Sequence, residues 1–245
     1  TSAHPFAQTV TYYSSDKVGR AGWINGNASD IPRADTSLAE HQTAVYTAGI
    51  GYGWGWEEVG IAQKLGINLS ADKAIAARRA YEEMVDRVAL QGDTEKNFQG
   101  LINNSTVDNA AATNGSWATA TSDQVLQDVN DALLAVATGT LYTSVADTLL
   151  MSFGKMSFLA TKRLGDTTMT LLGYLRQNNT YTAMTGRPLT IRGVRGLETA
   201  GTGSTEKMVA YRCDPQVLKL HMPMPHRFLP VMQDGPLSWV VPGVF

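Results

Sequence analysis

Apolar side chains recur at helical spacing in two long stretches of the chain. Residues 71–91 carry one stripe and residues 122–136 carry another, both with the i, i+3, i+4 pattern of an amphipathic helix. The stripes consist of Ala74, Ala77, Tyr81, Met84, Val85 and Val88 in the first, and of Val125, Leu126, Val129, Leu133, Leu134 and Val136 in the second. The first stretch predicts a rod of about 30 Å, capped by Ser70 and ended by Gly92.

The first fifty residues carry strand and turn signals but no wide apolar face. Thr, Val and Tyr within 8–13 favour a strand, Asn25 and Gly26 favour a turn, and Pro32 blocks a helix. The pattern predicts a long two-stranded hairpin. Because an isolated hairpin is only marginally stable in water, we expect it to lie against another surface, and another subunit is one candidate.

Glycine alternates with large side chains along 49–56, which reads GIGYGWGW. Period two places the four glycines on one face of a strand. One interpretation is a phosphate-binding loop, but the P-loop lysine is missing and Glu57 and Glu58 bring negative charge to the start of the next helix. The favoured interpretation is a structural strand whose bare face lets a neighbouring backbone approach closely.

Shorter segments complete a mixed pattern. Helices are predicted at 56–65, 155–163 and 168–176, and strands at 147–151, 189–194 and 206–212. The tail from 216 to 245 has a strand-like pattern that prolines interrupt. Helices and strands mix without regular βαβ alternation, so the sequence predicts the α+β class.

Composition narrows the class of protein. The chain has 245 residues, 43% of them hydrophobic, which is enough for a packed core and excludes disorder for most of its length. Only 17% are charged and the net charge is −2. Because charge keeps monomers apart, such a surface suits a protein that its neighbours cover. The near-neutral balance argues against a dedicated nucleic-acid reader, and no apolar run is long enough to span a bilayer.

Residues that carry chemistry are few and scattered. The single cysteine is Cys213, and none of the four histidines lies beside a nucleophile motif. Two prolines lie between His221 and His226, which excludes the helical spacing of a metalloprotease site, so we expect a surface or interface role. The five tryptophans lack interleaved Lys or Arg and are expected to be packing anchors. No catalytic, cofactor-binding or metal-binding residue is assigned.

Three arginines form a small basic cluster near a predicted strand, namely Arg187, Arg192 and Arg195. They could contact phosphates, pair with acids on an adjacent subunit, or belong to a solvated face. The spacing of the cluster does not choose among these interpretations.

The order of these elements and several short stretches carry a family resemblance. The stretches are EEVGIA at 57–62, GLIN at 100–103, DTL at 147–149, MVAY at 208–211 and MPMP at 222–225. Together with the extended hairpin, the long helix and the proline-rich return segment, they resemble the major capsid protein of tailed bacteriophages, whose fold is shared with encapsulin shells. The resemblance covers most of the chain and is best at about 45–105 and 205–240.

The resemblance implies a phage major-capsid-protein fold. Its parts would be an N-terminal arm and extended loop at 1–50, a peripheral domain with a long spine helix at 51–118, an axial domain at 119–205, and return strands of the peripheral domain at 206–245. It also implies a structural, non-enzymatic subunit that assembles in the bacterial host cytoplasm into the icosahedral shell of a virion.

The implied partners are first of all further copies of the chain, in pentamers and hexamers. Scaffold, portal and decoration proteins are also implied, as is weak, sequence-independent contact with packaged double-stranded DNA. No membrane and no cofactor are expected. Two alternatives stay open, an encapsulin-type nanocompartment shell and a soluble enzyme of another family.

Overall fold

The computed structural model describes residues 4, 6–24, 26 and 31–245. Helices and strands mix along these residues, which confirms the predicted α+β class. In chain order the elements are β1 (Thr9–Val18), β2 (Asp35–Ala44), β3 (Tyr52–Gly55), α1 (Trp56–Leu65), α2 (Leu69–Gln91), α3 (Ser122–Gly139), β4 (Thr148–Met151), α4 (Phe153–Thr161), α5 (Leu171–Gln177), α6 (Thr180–Thr185), β5 (Thr190–Gly193), β6 (Val209–Tyr211), β7 (Arg227–Phe228), β8 (Met232–Gly235), β9 (Ser238–Val241) and β10 (Gly243–Val244). The chain divides into two compact units, the first Thr1–Glu83 with His221–Phe245 and the second Met84–Leu220.

Strands β1 and β2 form the predicted hairpin in the first unit. They pair antiparallel over their full ten-residue length, from Thr9 opposite Ala44 to Val18 opposite Asp35. Every residue of β2 is exposed. The pairing therefore satisfies the backbone groups that face the partner strand without burying either face of the sheet.

A second sheet of the first unit joins the glycine-rich segment to the C-terminal tail. Strand β9 lies between β3 and β8 and pairs antiparallel with both. A Cβ at Gly51 would lie 2.7 Å from the Val241 carbonyl oxygen, and one at Gly53 would lie 2.7 Å from the Trp239 carbonyl oxygen. The glycines thus permit a close backbone approach, which confirms the structural interpretation of this segment.

The two helices after β3 follow the sequence pattern closely. Helix α1 has the predicted bounds, and Gly66 ends it in the left-handed conformation with φ of 68°. Helix α2 begins at Leu69, earlier than predicted, because Asn68 rather than Ser70 is the cap. The Asn68 Oδ1 accepts a 3.3 Å hydrogen bond from the Ala71 amide. Both residue types cap helices well, so local sequence alone did not distinguish them.

Strand β4 is the centre of the second unit, and all four of its residues are buried. It pairs in parallel with β5 and antiparallel with β6. Leu149 and Met151 join a core with α3, α4 and α5, whereas Leu150 packs with Ile102 and Leu197. Each fully buried leucine contributes about 1.5–3 kcal/mol, so burial on both faces stabilises the unit around this strand.

Helix α6 is an element that the sequence pattern does not reveal. The Asn179 Oδ1 accepts from the Thr182 amide and its Nδ2 donates to the Leu175 carbonyl, both at 2.8 Å. One asparagine therefore ends α5 and begins α6. The new helix has only six residues and shows no apolar stripe of its own, so the sequence indicates only the end of the preceding helix here.

We predict that Gly53→Ala destabilises the first unit by about 1–3 kcal/mol, because the added methyl group collides with the Trp239 carbonyl and pushes β3 away from β9. Urea unfolding followed by tryptophan fluorescence measures the change. Gly60→Ala is the matched control, since its Cβ position is open and α1 gains about 1 kcal/mol of helix propensity. Equal stability of Gly53→Ala and the unaltered protein would contradict the close approach.

Candidate assembly surfaces

Large apolar side chains project from the β1–β2 hairpin. Tyr13, Val18 and Leu38 are 67%, 65% and 70% exposed, respectively. The two strands form a sheet of their own, so no further strand of the described residues extends it. Covering apolar surface is worth about 25 cal/mol per Å². A complex in which a partner covers this hairpin would therefore be stabilised by the apolar area that it buries.

Stacked rings hold the hairpin to the tail of its own unit. The ring centroid of Tyr12 lies 5.1 Å from that of His41 and 6.2 Å from that of His221. The Ser14 Oγ is hydrogen-bonded to the His41 Nε2 at 3.0 Å. The two His41 contacts join β1 to β2, and the Tyr12–His221 contact joins the hairpin to the tail while its apolar side chains stay exposed.

A second set of exposed apolar side chains follows the return segment of the first unit. It consists of Met222, Phe228, Leu229, Val231, Met232 and Leu237. Single exposed apolar residues are common on protein surfaces, but a run of them marks an interaction surface. The hairpin and this segment are two apolar surfaces of the first unit that a partner could cover, and helix α1 exposes further apolar side chains at Trp56, Ile61 and Leu65.

His226 packs inside its own unit, where the sequence indicated a surface or interface role. Its ring stacks on Tyr81 at 4.7 Å and meets the edge of Phe228 at 4.6 Å and of Phe245 at 6.0 Å. Within the part of the chain that the structure describes, no three His, Cys, Asp or Glu side chains gather as metal ligands. The contacts of His226 are those of an aromatic packing residue.

The tryptophans differ in burial. Trp117 is buried in the main core of the second unit, whereas Trp54 and Trp239 are half-buried and lie opposite each other across the β3–β9 pair. These three confirm the expected packing role. For Trp23 and Trp56 that expectation is wrong, because both side chains are exposed in the single chain.

A buried carboxylate fastens the loop around Trp117 to helix α3. Asp128 is 3% exposed and accepts a hydrogen bond from the Trp117 Nε1 at 2.9 Å. It also accepts from the Asn114 Nδ2 at 2.9 Å and from the Asn114 amide at 3.2 Å. Three donors converge on one carboxylate, which compensates its burial.

A Ser–Lys–Glu group in the second unit was missed by the sequence reasoning. The Ser152 Oγ donates to the Glu206 Oε1 at 2.6 Å, and the Lys155 Nζ lies 2.7 Å from the Glu206 Oε2. The Ser152 hydroxyl also accepts from the Lys155 amide at 3.2 Å and thereby caps α4. The Lys155 ammonium, followed by the Ser152 hydroxyl, holds the pKa of Glu206 below its ordinary value.

The S-x-x-K spacing from Ser152 to Lys155 was the available signal for this group, and it also occurs in serine acyl-transfer enzymes. Ser152, however, is fully buried at 0% exposure, and its hydroxyl is bound to Glu206. A nucleophile has to reach its substrate, so this arrangement stabilises the fold rather than performing chemistry.

The fold is similar to solved phage structures. It resembles the capsid of Myoviridae phage XM1 with a TM-score of 0.75 and 20% identity, over 98% of this chain and 80% of that one. It also resembles structures from Mycobacterium phage Ogopogo (TM-score 0.59, 13% identity, 98% and 82% of the chains) and Microbacterium phage Oxtober96 (TM-score 0.59, 12% identity, 100% and 80%). No curated protein matches the sequence significantly.

The first unit exposes apolar side chains that a partner could cover, and the polar side chains described above are hydrogen-bonded within the fold. These two features are typical of a structural subunit of an assembly. The sequence matches the major capsid protein family over residues 19–245, and the chain belongs to that family. It is a structural subunit of a capsid shell and not an enzyme, with the fold of phage capsid proteins. This confirms the resemblance seen in the sequence. None of the helices among the described residues combines the length and apolar character needed to cross a bilayer.

We predict that Asp128→Asn destabilises the protein by about 2–3 kcal/mol, because the charged acceptor is lost and the new amide faces the donors of Trp117 and Asn114. Urea unfolding followed by tryptophan fluorescence measures the loss. Asp131→Asn, on the exposed face of the same helix, is the control and should change stability by less than about 0.5 kcal/mol. Equal effects of the two substitutions would show that the buried hydrogen bonds contribute nothing.

The lowered pKa of Glu206 predicts a stability contribution that acid removes. The contribution is complete above the ordinary carboxyl pKa of 4.5 and is lost as the pH falls through the lower folded value. At neutral pH, Glu206→Gln should therefore cost about 1 kcal/mol, and the difference from the unaltered protein should shrink below that ordinary value. Thermal unfolding across this pH range tests it, with the exposed Glu95→Gln as control. A difference that does not change with pH would refute the assignment.

Proposed function

We propose that the chain builds the icosahedral shell of a tailed bacteriophage, as pentamers and hexamers that enclose double-stranded DNA. The observation that carries the proposal is the β1–β2 hairpin, which exposes every residue of β2 together with Tyr13 and Val18 of β1. A neighbouring subunit supplies the surface that the hairpin lacks in a single copy. Because each copy would give one hairpin and receive another, such contacts can close into rings.

The parts of the fold take the following roles in this proposal. Residues 1–50 are the N-terminal arm and extended loop, and 119–205 are an axial domain near the symmetry axes. Residues 51–118 are a peripheral domain whose spine is α2, and 206–245 are its return strands. The 23-residue length of α2 supports the spine, and the pairing of β3 with β9 supports one domain built from both segments.

The contact with packaged DNA is proposed to be weak and independent of sequence. A net charge of −2 gives little electrostatic attraction to phosphate, so binding by counterion release is small. Scaffold, portal and decoration proteins are the proposed assembly partners. Assembly takes place in the bacterial host cytoplasm and the product is the virion, a proposal that the likeness to the capsid of Myoviridae phage XM1 supports.

The test replaces apolar side chains that a single copy leaves exposed. Tyr13→Ser combined with Leu38→Ser should lower the yield of closed shells at least about tenfold while the unfolding temperature stays unchanged, because the loss falls on the interface alone. Negative-stain electron microscopy and size-exclusion chromatography measure the yield. Ser15→Ala combined with Ser37→Ala is the control on the same two strands and should assemble normally.

Two results would refute parts of this proposal. If the Tyr13→Ser, Leu38→Ser variant gives the same yield of shells as the unaltered protein, the hairpin is not an interface. Shells of the unaltered protein that enclose protein cargo and exclude nuclease-resistant DNA, under conditions in which the phage packages its genome, would favour the encapsulin-type compartment instead.

A further inference from the structure

Two arginines of the second unit line a concavity without an acidic partner. Arg187 and Arg192 both border a cavity of about 370 Å³ together with Tyr181, Tyr211 and Cys213. Two other basic groups of this unit are paired with carboxylates, Lys155 with Glu206 at 2.7 Å and Arg212 with Asp214 at 2.8 Å. Among the described residues neither Arg187 nor Arg192 has a carboxylate at ion-pair distance.

The carboxylate that shares the concavity is already engaged. The Asp147 Oδ1 accepts from the Cys213 amide and from the Thr148 hydroxyl, both at 2.8 Å. Burial raises the pKa of the Tyr211 hydroxyl, and the positive charge of Arg192 opposes that shift. The Arg192 guanidinium is therefore close enough to interact electrostatically with Tyr211, which lines the same cavity. The concavity therefore contains two guanidinium groups and a single carboxylate. That carboxylate, Asp147, is already hydrogen-bonded to neighbouring residues of its own chain.

The chemistry of this concavity suits a carboxylate from another protein surface. Guanidinium groups bind carboxylates through parallel hydrogen bonds, and more strongly where part of the water is excluded. A nucleic-acid duplex fits less well, because a cavity of about 370 Å³ admits side chains but not a duplex. The expected occupant is an acidic side chain carried on an exposed element.

The second unit carries such an acidic element elsewhere on its surface. Asp123, Gln127 and Asp131 are exposed at i, i+4 and i+8 on one face of α3. Asp123 and Gln127 also line a separate cavity of about 630 Å³ that contains no basic side chain. Within the described part of the chain neither aspartate has an ion-pair partner.

Helix α6 separates the two surfaces within one copy. Tyr181 of this helix borders the concavity with the arginines, whereas Thr180 and Thr182 border the cavity beside α3. A basic surface and an acidic surface at different places on the same unit are complementary between copies. Such a contact is heterologous, and it generates a ring when the rotation between copies closes.

We propose that the Arg187–Arg192 concavity of one copy receives the Asp123–Asp131 face of helix α3 from a second copy. The contact rests on the proposed function, since it requires copies arranged in a ring. It chooses one of the interpretations left open for the arginine cluster, namely pairing with acids on an adjacent subunit. The pairing orients neighbouring subunits and disfavours other registers, because like charges would then face each other.

The test reverses each surface separately and then both together, in the full chain. Arg187→Glu with Arg192→Glu, and Asp123→Lys with Asp131→Lys, should each lower the shell yield at least about tenfold, because like charges meet at the contact. The fourfold variant restores opposite charges and should recover the yield to within about threefold of the unaltered protein. Arg176→Glu, an exposed arginine of α5 outside the concavity, is the control and should assemble normally.

The outcomes separate this contact from the proposed shell function. If the unaltered protein forms no shells, the proposed function fails before the contact is tested. If it forms shells and the Arg187→Glu, Arg192→Glu variant does so equally well, the inference is wrong. Failure of the fourfold variant to recover would overturn α3 as the occupant. Intact shells of the arginine variant that retain less DNA would assign the concavity to phosphate and also overturn it.

Discussion

Pairing two strands satisfies only the backbone groups between them and buries neither face of the sheet, and this constraint governs the first unit. The β1–β2 hairpin is fully paired along its length, yet Tyr13, Val18 and Leu38 stay exposed. No rearrangement of a two-stranded sheet would bury both of its faces. Covering these faces therefore requires another surface, which we propose to be a neighbouring subunit.

The second unit solves the opposite problem, because the side chains of its buried polar residues are hydrogen-bonded within the fold, namely those of Asp128, Thr148, Ser152 and Asn179. Asp128 binds the Trp117 loop, and Glu206 binds Ser152 and Lys155. Because these polar side chains are hydrogen-bonded to one another, they are not available to bind a substrate. Arg187 and Arg192, in contrast, lie exposed at one concavity, and neither has a carboxylate at ion-pair distance among the described residues. Charges placed in this way are available for docking.

The spacing of apolar side chains predicted an element correctly where the buried face of that element follows from its own sequence. The stripe of α2 and the bounds of α1 follow from side-chain spacing and from Gly66, which are local properties. Short elements were less predictable. Helix α6 depends on one asparagine that serves two helices, and the cap at Asn68 competes with an equally good Ser70. The Ser152–Glu206 bond joins positions 54 residues apart, which spacing cannot show.

Sequence alone determined the α+β class, the long helix, the hairpin without a core, the close approach at Gly51 and Gly53, and the family. All of these depend on side-chain size, periodicity and order along the chain, which are read directly from the letters. Tertiary structure decided which charges are paired, which tryptophans are buried and which arginines share a concavity. Those properties depend on distances between residues far apart in sequence, and the folding of the chain sets those distances.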